Sequence, residues 1–299
     1  MSSDVLISAQ ELAELLRSDQ PPLIADVRWN LGGPPGKPDF EAGHIPGAVW
    51  VDLETQLAGP PGVGGRHPLP TVAIFEDAMR SIGVCQDSLV VAHDAANSQA
   101  AARLWWLLTD AGHGDVKVLD GGFAAWRAAG LPAVSGPNVR AARGDFIAHP
   151  GQRPQLTATE ISARLGRPDA PTLIDVRTSE RYAGENEPLD PVAGHIPGAI
   201  NLPWAGNVRA DGRFRPPAEI ARRTPKRAAT GTKCFIAAQA SPPHTACCPW
   251  SLPGWARPLF TRAPGVTGSR TQAARLQRGP LPDNERPRVT SCDVWARRT

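Results

Sequence analysis

The sequence predicts an α/β protein made of two related domains, each a parallel sheet flanked by helices, with the second domain incomplete. Three observations lead there. Long segments repeat once, about half a chain apart. Within the first copy, short apolar strands alternate with helical patterns, which argues a parallel sheet covered on both faces. In the second copy the same alternation begins and then stops.

The repeat sets the architecture. "EAGHIPGAVWVDL" (Glu41–Leu53) returns as "VAGHIPGAINLP" (Val192–Pro203), and "PLIADVR" (Pro22–Arg28) returns as "TLIDVR" (Thr172–Arg177). The offset is 149 residues at Asp26/Asp175 and 151 at His44/His195, which marks a duplicated domain and not a short solenoid repeat. Both copies open alike. Ser8 with Glu11, and Thr157 with Glu160, fit the capping box, and apolar residues follow at helical spacing: Leu12, Leu15 and Leu16, then Ile161 and Leu165.

The first copy reads to its end. A helix follows Ser8. A buried-type strand, Leu23–Val27, ends in Asp26-Val27-Arg28. A second short strand follows His44-Ile45-Pro46-Gly47-Ala48. A helix near Val72–Ile82 leads to the strand "SLVVAH" (Ser88–His93), then a helix from Ser98 to Ala111. The strand "DVKVLD" (Asp115–Asp120) runs through Gly121-Gly122 into a helix with Trp126. Ligands in such sheets sit beyond the carboxyl ends of strands, so the loop after "SLVVAH" is the natural site.

The residues "LIADVR", "EAGHIPGA", "VVAHDAANSQAAARLWWLL" and "VLDGGFAAW", followed by "LIDVR" and "RYAGENEPLDPVAGHIPGAIN", resemble a tandem-domain rhodanese, the thiosulfate and 3-mercaptopyruvate sulfurtransferase family. The resemblance covers roughly residues 5–223. It implies two rhodanese-like domains: 1–133, non-catalytic; a linker, 134–153; and 154–224, the start of the second. Residues 225–299 depart from the family pattern and are expected to form a disordered tail.

The resemblance implies sulfur transfer from thiosulfate or 3-mercaptopyruvate to cyanide or a thiol, through a cysteine persulfide and with no cofactor or metal. The nucleophile is a thiolate at a loop-to-helix turn, where backbone N–H groups favour negative charge. In the first copy Asp94 stands near that place, and a carboxylate cannot carry a sulfane sulfur. Cys85, ahead of the strand, is expected to be a small buried hydrophobe. Arg181 matches the arginine that the family uses to bind the anionic donor, a role that suits a guanidinium. The alternative is an i, i+4 surface pair with Glu185. Leu189 stands where mercaptopyruvate-type members often carry a second arginine, which leans the donor towards thiosulfate. Asp26, Asp175, His44 and His195 belong to the repeat and are expected to shape turns, not to react.

The second copy continues into the helix "PPAEIARR" (Pro216–Arg223). Beyond it no alternating strand is read, ten prolines fall between Pro225 and Pro287, and no second "GGFAAW" occurs. The loop cysteine is missing, and Cys234 is the only fallback nucleophile. Cys234, His244, Cys247 and Cys248 could suggest zinc. Adjacent cysteines and a nine-residue gap do not give the paired ligand spacing of structural zinc sites.

The genetic code offers another explanation. Codons read from the third base of the Phe235 codon permit Tyr-Cys-Gly-Ser-Gly-Val-Thr-Ala, the family's strand end and active loop. From Leu259 the same frame permits Val-His-Pro-Gly-Ser-Trp-Ser-Asp-Trp, which parallels Val118–Trp126. The cysteine and the first glycine of these motifs lie 26 residues apart, against 27 from Asp94 to Gly121 in the first copy. The expectation is that the chain leaves its ancestral frame between Ala221 and Thr232.

Composition excludes several classes. At 41% hydrophobic and 20% charged, the chain is of ordinary globular type. Met1–Asp4 has no secretory character, and no apolar run reaches the ~20 residues of a bilayer span, so no membrane partner is expected. Five scattered cysteines point to a reducing cytoplasm. Residues 221–299 hold 14 Lys and Arg against 3 Asp and Glu. The arginines are scattered among Pro, Gly, Thr and Ala, without the ordered clusters or interleaved aromatics of a nucleic-acid arm, so no nucleic-acid partner is expected.

Overall fold

A computed structural model describes residues 5–30, 32–62, 65–137, 142–190 and 192–224, and the backbone of 233–236. The first sheet has five parallel strands: β1 (Leu6–Ile7), β2 (Leu23–Asp26), β3 (Val49–Trp50), β4 (Val90–His93) and β5 (Val116–Leu119), in the order β1-β5-β4-β2-β3. Its helices are α1 (Ala9–Leu15), α2 (Lys37–Ala42), α3 (Leu53–Gln56), α4 (Val72–Ser81), α5 (Gln99–Asp110) and α6 (Gly122–Ala128).

Successive strand residues point to opposite faces, and helices cover both, so the strands read as continuous apolar runs. Ala25, Val90, Ala92 and Val118 face Leu104, Trp105 and Leu108 of α5 and Phe75 and Met79 of α4. Ile24, Val91 and Leu119 face Leu12 of α1, Phe40 of α2 and Trp126 of α6. Helix starts follow the sequence signals. The Ser8 hydroxyl accepts from the Glu11 N–H, while the Glu11 carboxylate accepts from the Ser8 N–H. Thr157 and Glu160 repeat this at α7 (Ala158–Arg164).

The stretch read as a linker is strapped to the first domain over much of its length. Phe146 is fully buried in the same core, edge-on to Phe75 and His113. The Phe146 N–H donates to the Val84 carbonyl, and the Arg80 Nε donates to the Phe146 carbonyl at 2.6 Å. A side chain at Gly144 would collide with the Val84 carbonyl. Cys85, expected to be buried, is half-buried, because it sits in the turn before β4 and not in the strand.

The second sheet repeats the centre of the first. Its strands are β6 (Thr172–Asp175), β7 (Ile200–Asn201) and β8 (Lys233–Ile236), parallel, in the order β7-β6-β8. α7 lies before them, α8 (Ser179–Ala183) between β6 and β7, and α9 (Pro217–Arg223) between β7 and β8. Ile161, Leu173 and Ala199 pack on one face, and Ile174 and Leu202 on the other.

β8 corrects the sequence reading, which found no strand beyond Arg223. Lys-Cys-Phe-Ile lacks the alternation of a half-buried strand, but a central parallel strand does not require it. The flanking prolines, Pro225 and Pro242, lie outside these four residues. Among the described residues β8 has no neighbour on its outer side, where β4 has β5. No helix among the described residues is long and apolar enough to cross a membrane.

Candidate functional site

The repeated Asp-Val-Arg is one device built twice. Asp26 is fully buried at the end of β2, and its carboxylate receives the Arg28 Nε and Nη2 at 2.7–3.1 Å. The same guanidinium donates to the carbonyls of Asp39 and Gly43, tying β2 to the segment that opens the His-Ile-Pro-Gly turn. In the second domain Arg177 holds Asp175 in the same way and donates to the Gly194 carbonyl. His44 stacks on Phe40 with its Nδ1 2.8 Å from the Phe40 carbonyl oxygen. His195 stacks on Tyr182 with its Nδ1 2.7 Å from the Tyr182 carbonyl oxygen. All four residues therefore engage their own turns.

Asp94 begins the loop between β4 and α5. Its side chain turns back into the helix start, where it accepts the N–H groups of Ser98 (2.9 Å), Ala100 (3.1 Å) and Ala101 (3.3 Å). Helix N-termini present such orphan donors to anions. Ser98 takes φ +60°, a left-handed conformation that curls the loop round the carboxylate. Gly122, at φ +57°, lies so close to the Asp94 carbonyl that a Cβ would collide with it. Burial pushes the Asp94 carboxyl above the usual range, while these N–H groups oppose that rise.

Register locates the equivalent place in the second domain. Asp26 pairs with His93, and Asp94 follows; Asp175 pairs with Ile236, and Ala237 follows in the sequence. Cys234 pairs with Leu173 within β8, two residues before the strand's end. Ala237, His244, Cys247 and Cys248 lie outside the described residues.

Arg181 sits on α8 with its side chain 9% exposed. The helix stops at Ala183, and Gly184 at φ +79° turns the chain away, so Glu185 is not on the helix to form the i, i+4 pair considered from sequence. The partner is Glu187, whose two carboxylate oxygens take the Arg181 Nε and Nη2 at 2.8–3.1 Å. Glu187 also accepts the N–H groups of Leu189 and Asp190 and lies 3.4 Å from the Arg177 Nη1. Burial opposes its charge, but these bonds outweigh burial and hold its carboxyl below the usual range. Asp190 Oδ2 takes the Arg181 Nη2 at 2.8 Å, and Asp190 Oδ1 lies 3.5 Å from the Nη2 of Arg66.

Arg66 comes from the first domain. Its loop is pinned from beneath by Arg103 of α5, which is buried and donates to the carbonyls of Leu57, His67 and Pro68. Beside Arg66, His67 Nε2 stands 2.8 Å from Glu54, which also accepts the Trp29 Nε1–H. Burial lowers the His67 pKa and leaves it a neutral imidazole near neutrality. The structure thus joins Arg181 to Arg66, Arg177, Glu187 and Asp190. It does not join Arg181 to Asp26, His44 or Asp94. The sequence reading did not select Arg66, Glu187 or Asp190. Their only signal was charged residues inside the Pro- and Gly-rich runs 59–70 and 184–191.

Known proteins resemble this chain in sequence and fold. A family model described as the rhodanese-like domain matches residues 8–129 and 157–238. SseB of Mycobacterium tuberculosis, named for thiosulfate sulfurtransferase activity, is 44% identical over 217 residues, covering 70% of this chain and 74% of its own. A Pseudomonas aeruginosa protein named for 3-mercaptopyruvate sulfurtransferase activity is 44% identical, with coverage of 75% and 79%. Among solved structures, SseA of Escherichia coli, a 3-mercaptopyruvate sulfurtransferase, superposes with a TM-score of 0.66 at 29% identity, covering 79% of this chain and 88% of its own. The Leishmania major 3-mercaptopyruvate sulfurtransferase gives 0.68 at 28% identity and coverage of 79% and 66%.

Proposed function

The chain belongs to the rhodanese-like family, and from that premise we propose that its second domain is built for sulfur transfer from thiosulfate, or from 3-mercaptopyruvate, but lacks the nucleophile. In the family reaction a cysteine thiolate attacks the sulfane sulfur of thiosulfate. The donor's S–S bond breaks, sulfite leaves with the electron pair, and a cysteine persulfide forms. Cyanide or a thiolate then attacks the outer sulfur and releases the enzyme thiolate.

The observation that carries the proposal is the register of β8. Asp175 pairs with Ile236 as Asp26 pairs with His93, and the sequence after Ile236 reads Ala237-Ala238-Gln239-Ala240, with no thiol. Cys234 pairs inside the strand and is a poor substitute. The Asp94 loop supports this reading: there, backbone N–H groups gather round one negative group at a helix start. Arg181 would hold the anionic part of the donor.

A second reading draws on that same loop. The first domain keeps a complete rhodanese-like sheet with Asp94 in place of a thiol, so a pair of such domains can stand as a non-catalytic binding module.

Sequencing the gene across codons 221–240 tests the proposal. A cysteine codon TGC spanning the Ile236 and Ala237 codons, in the frame that starts at the third base of the Phe235 codon, is the expected result. Codons without it overturn the frame explanation.

A further inference from the structure

We propose that Asp190 is a resident counter-ion in the donor pocket, and that an anionic donor enters by displacing its carboxylate from between Arg66 and Arg181. The inference rests on reading Arg181 as the donor-binding arginine.

The two acids on Arg181 are held very differently. Glu187 has two bonds from the Arg181 Nε, one from Nη2, two from backbone N–H groups and a third cation, Arg177, at 3.4 Å. Displacing it would strip several partners at once. Asp190 has one charged hydrogen bond, from the Arg181 Nη2 through Oδ2. Its Oδ1 is buried with no hydrogen bond and only reaches 3.5 Å from the Arg66 Nη2. The side chain is 9% exposed, so water does little to compensate. A buried carboxylate oxygen without a hydrogen bond is costly.

The charge balance favours exchange over simple addition. Among the described ion pairs, the three cations Arg66, Arg177 and Arg181 face the three carboxylates Asp175, Glu187 and Asp190. An added anion would meet Asp190 as a like charge. An anion that replaces the Asp190 carboxylate keeps the balance and can bond both guanidinium groups. The exchange needs only a side-chain rotation, because the Asp190 backbone stays anchored through its N–H to Glu187. The shared chemistry of the ligand is an oxyanion head, either the sulfonate-like end of thiosulfate or the carboxylate of a 2-oxo acid.

The test is calorimetric titration of the full-length protein with thiosulfate and, separately, with pyruvate as an unreactive carboxylate. Asp190→Asn keeps the shape and removes the charge, and is expected to tighten binding by about tenfold. Asp190→Ser is the second variant and is expected to change affinity in the same direction. Arg66→Gln is expected to weaken binding by a similar factor. The probe that gains identifies the head group. Unchanged or weaker binding in both Asp190 variants overturns the inference, and so does an absence of binding in every form. If the Asp190 variants gain nothing but Arg181→Gln abolishes binding, the donor-pocket reading stands and this inference alone falls.

Discussion

Asp26→Ala is expected to destabilise the first domain by about 3–5 kcal/mol, the cost of leaving a buried charge without its partner. Domain stabilities are about 5–15 kcal/mol, so this removes a large share. Asp26 is fully buried and Arg28 is 7% exposed. Arg28 would keep its carbonyl contacts to Asp39 and Gly43 and its place 4.6 Å above the Phe123 ring, but it would have no anion within that network. Asp175→Ala is expected to cost less, because Arg177 retains Glu187 at 3.4 Å. Urea unfolding of the two variants gives the comparison. A loss under about 1 kcal/mol for Asp26→Ala, the range of an exposed pair, would contradict the account of this device.

Arg103→Ala is expected to cost about 3 kcal/mol or more, since three carbonyls lose a charged donor inside the protein. Arg103→Met keeps most of the side-chain length and is expected to be nearly as harmful, because the donors matter more than the packing. The same substitutions release the loop that carries Arg66 and His67. Hydrogen exchange at Gly59, whose N–H donates to the Pro68 carbonyl, is expected to accelerate beyond the global change in stability. Protection at Gly59 that only follows global unfolding would show that the loop does not depend on Arg103.

The sequence carried the first domain well because its signals are local. The capping box at Ser8, the apolar runs of β2, β4 and β5, and the Gly-Gly entry to α6 each fix an element within a few residues. The repeat carried β6, β7 and α7 by correspondence. β8 was hidden because a lysine and three apolar residues in a proline-rich setting have no period of their own; pairing with Thr172–Asp175 defines them as a strand. The strap at Phe146 and the Arg66–Asp190 contact were hidden for a different reason. Both depend on residues far apart in the chain, and neither leaves a pattern in the loops that supply them. Arg181 was singled out from its motif, but its partner was not. Spacing suggested Glu185, and a glycine turn one residue earlier delivered Glu187 instead.

The frame expectation and β8 converge on one place. The cysteine codon expected across Ile236 and Ala237 falls directly after Ile236, the residue that pairs with Asp175 as His93 pairs with Asp26. One argument rests on codon degeneracy read against the family motifs, and the other on strand pairing.

Thiocyanate formation from cyanide by the purified chain of this sequence is the most direct measurement, with thiosulfate and 3-mercaptopyruvate each supplied as donor. The absence of a thiol at position 237 predicts a rate at background with both donors. Robust turnover with either donor would contradict it, and would mean that another residue of this chain carries the sulfur.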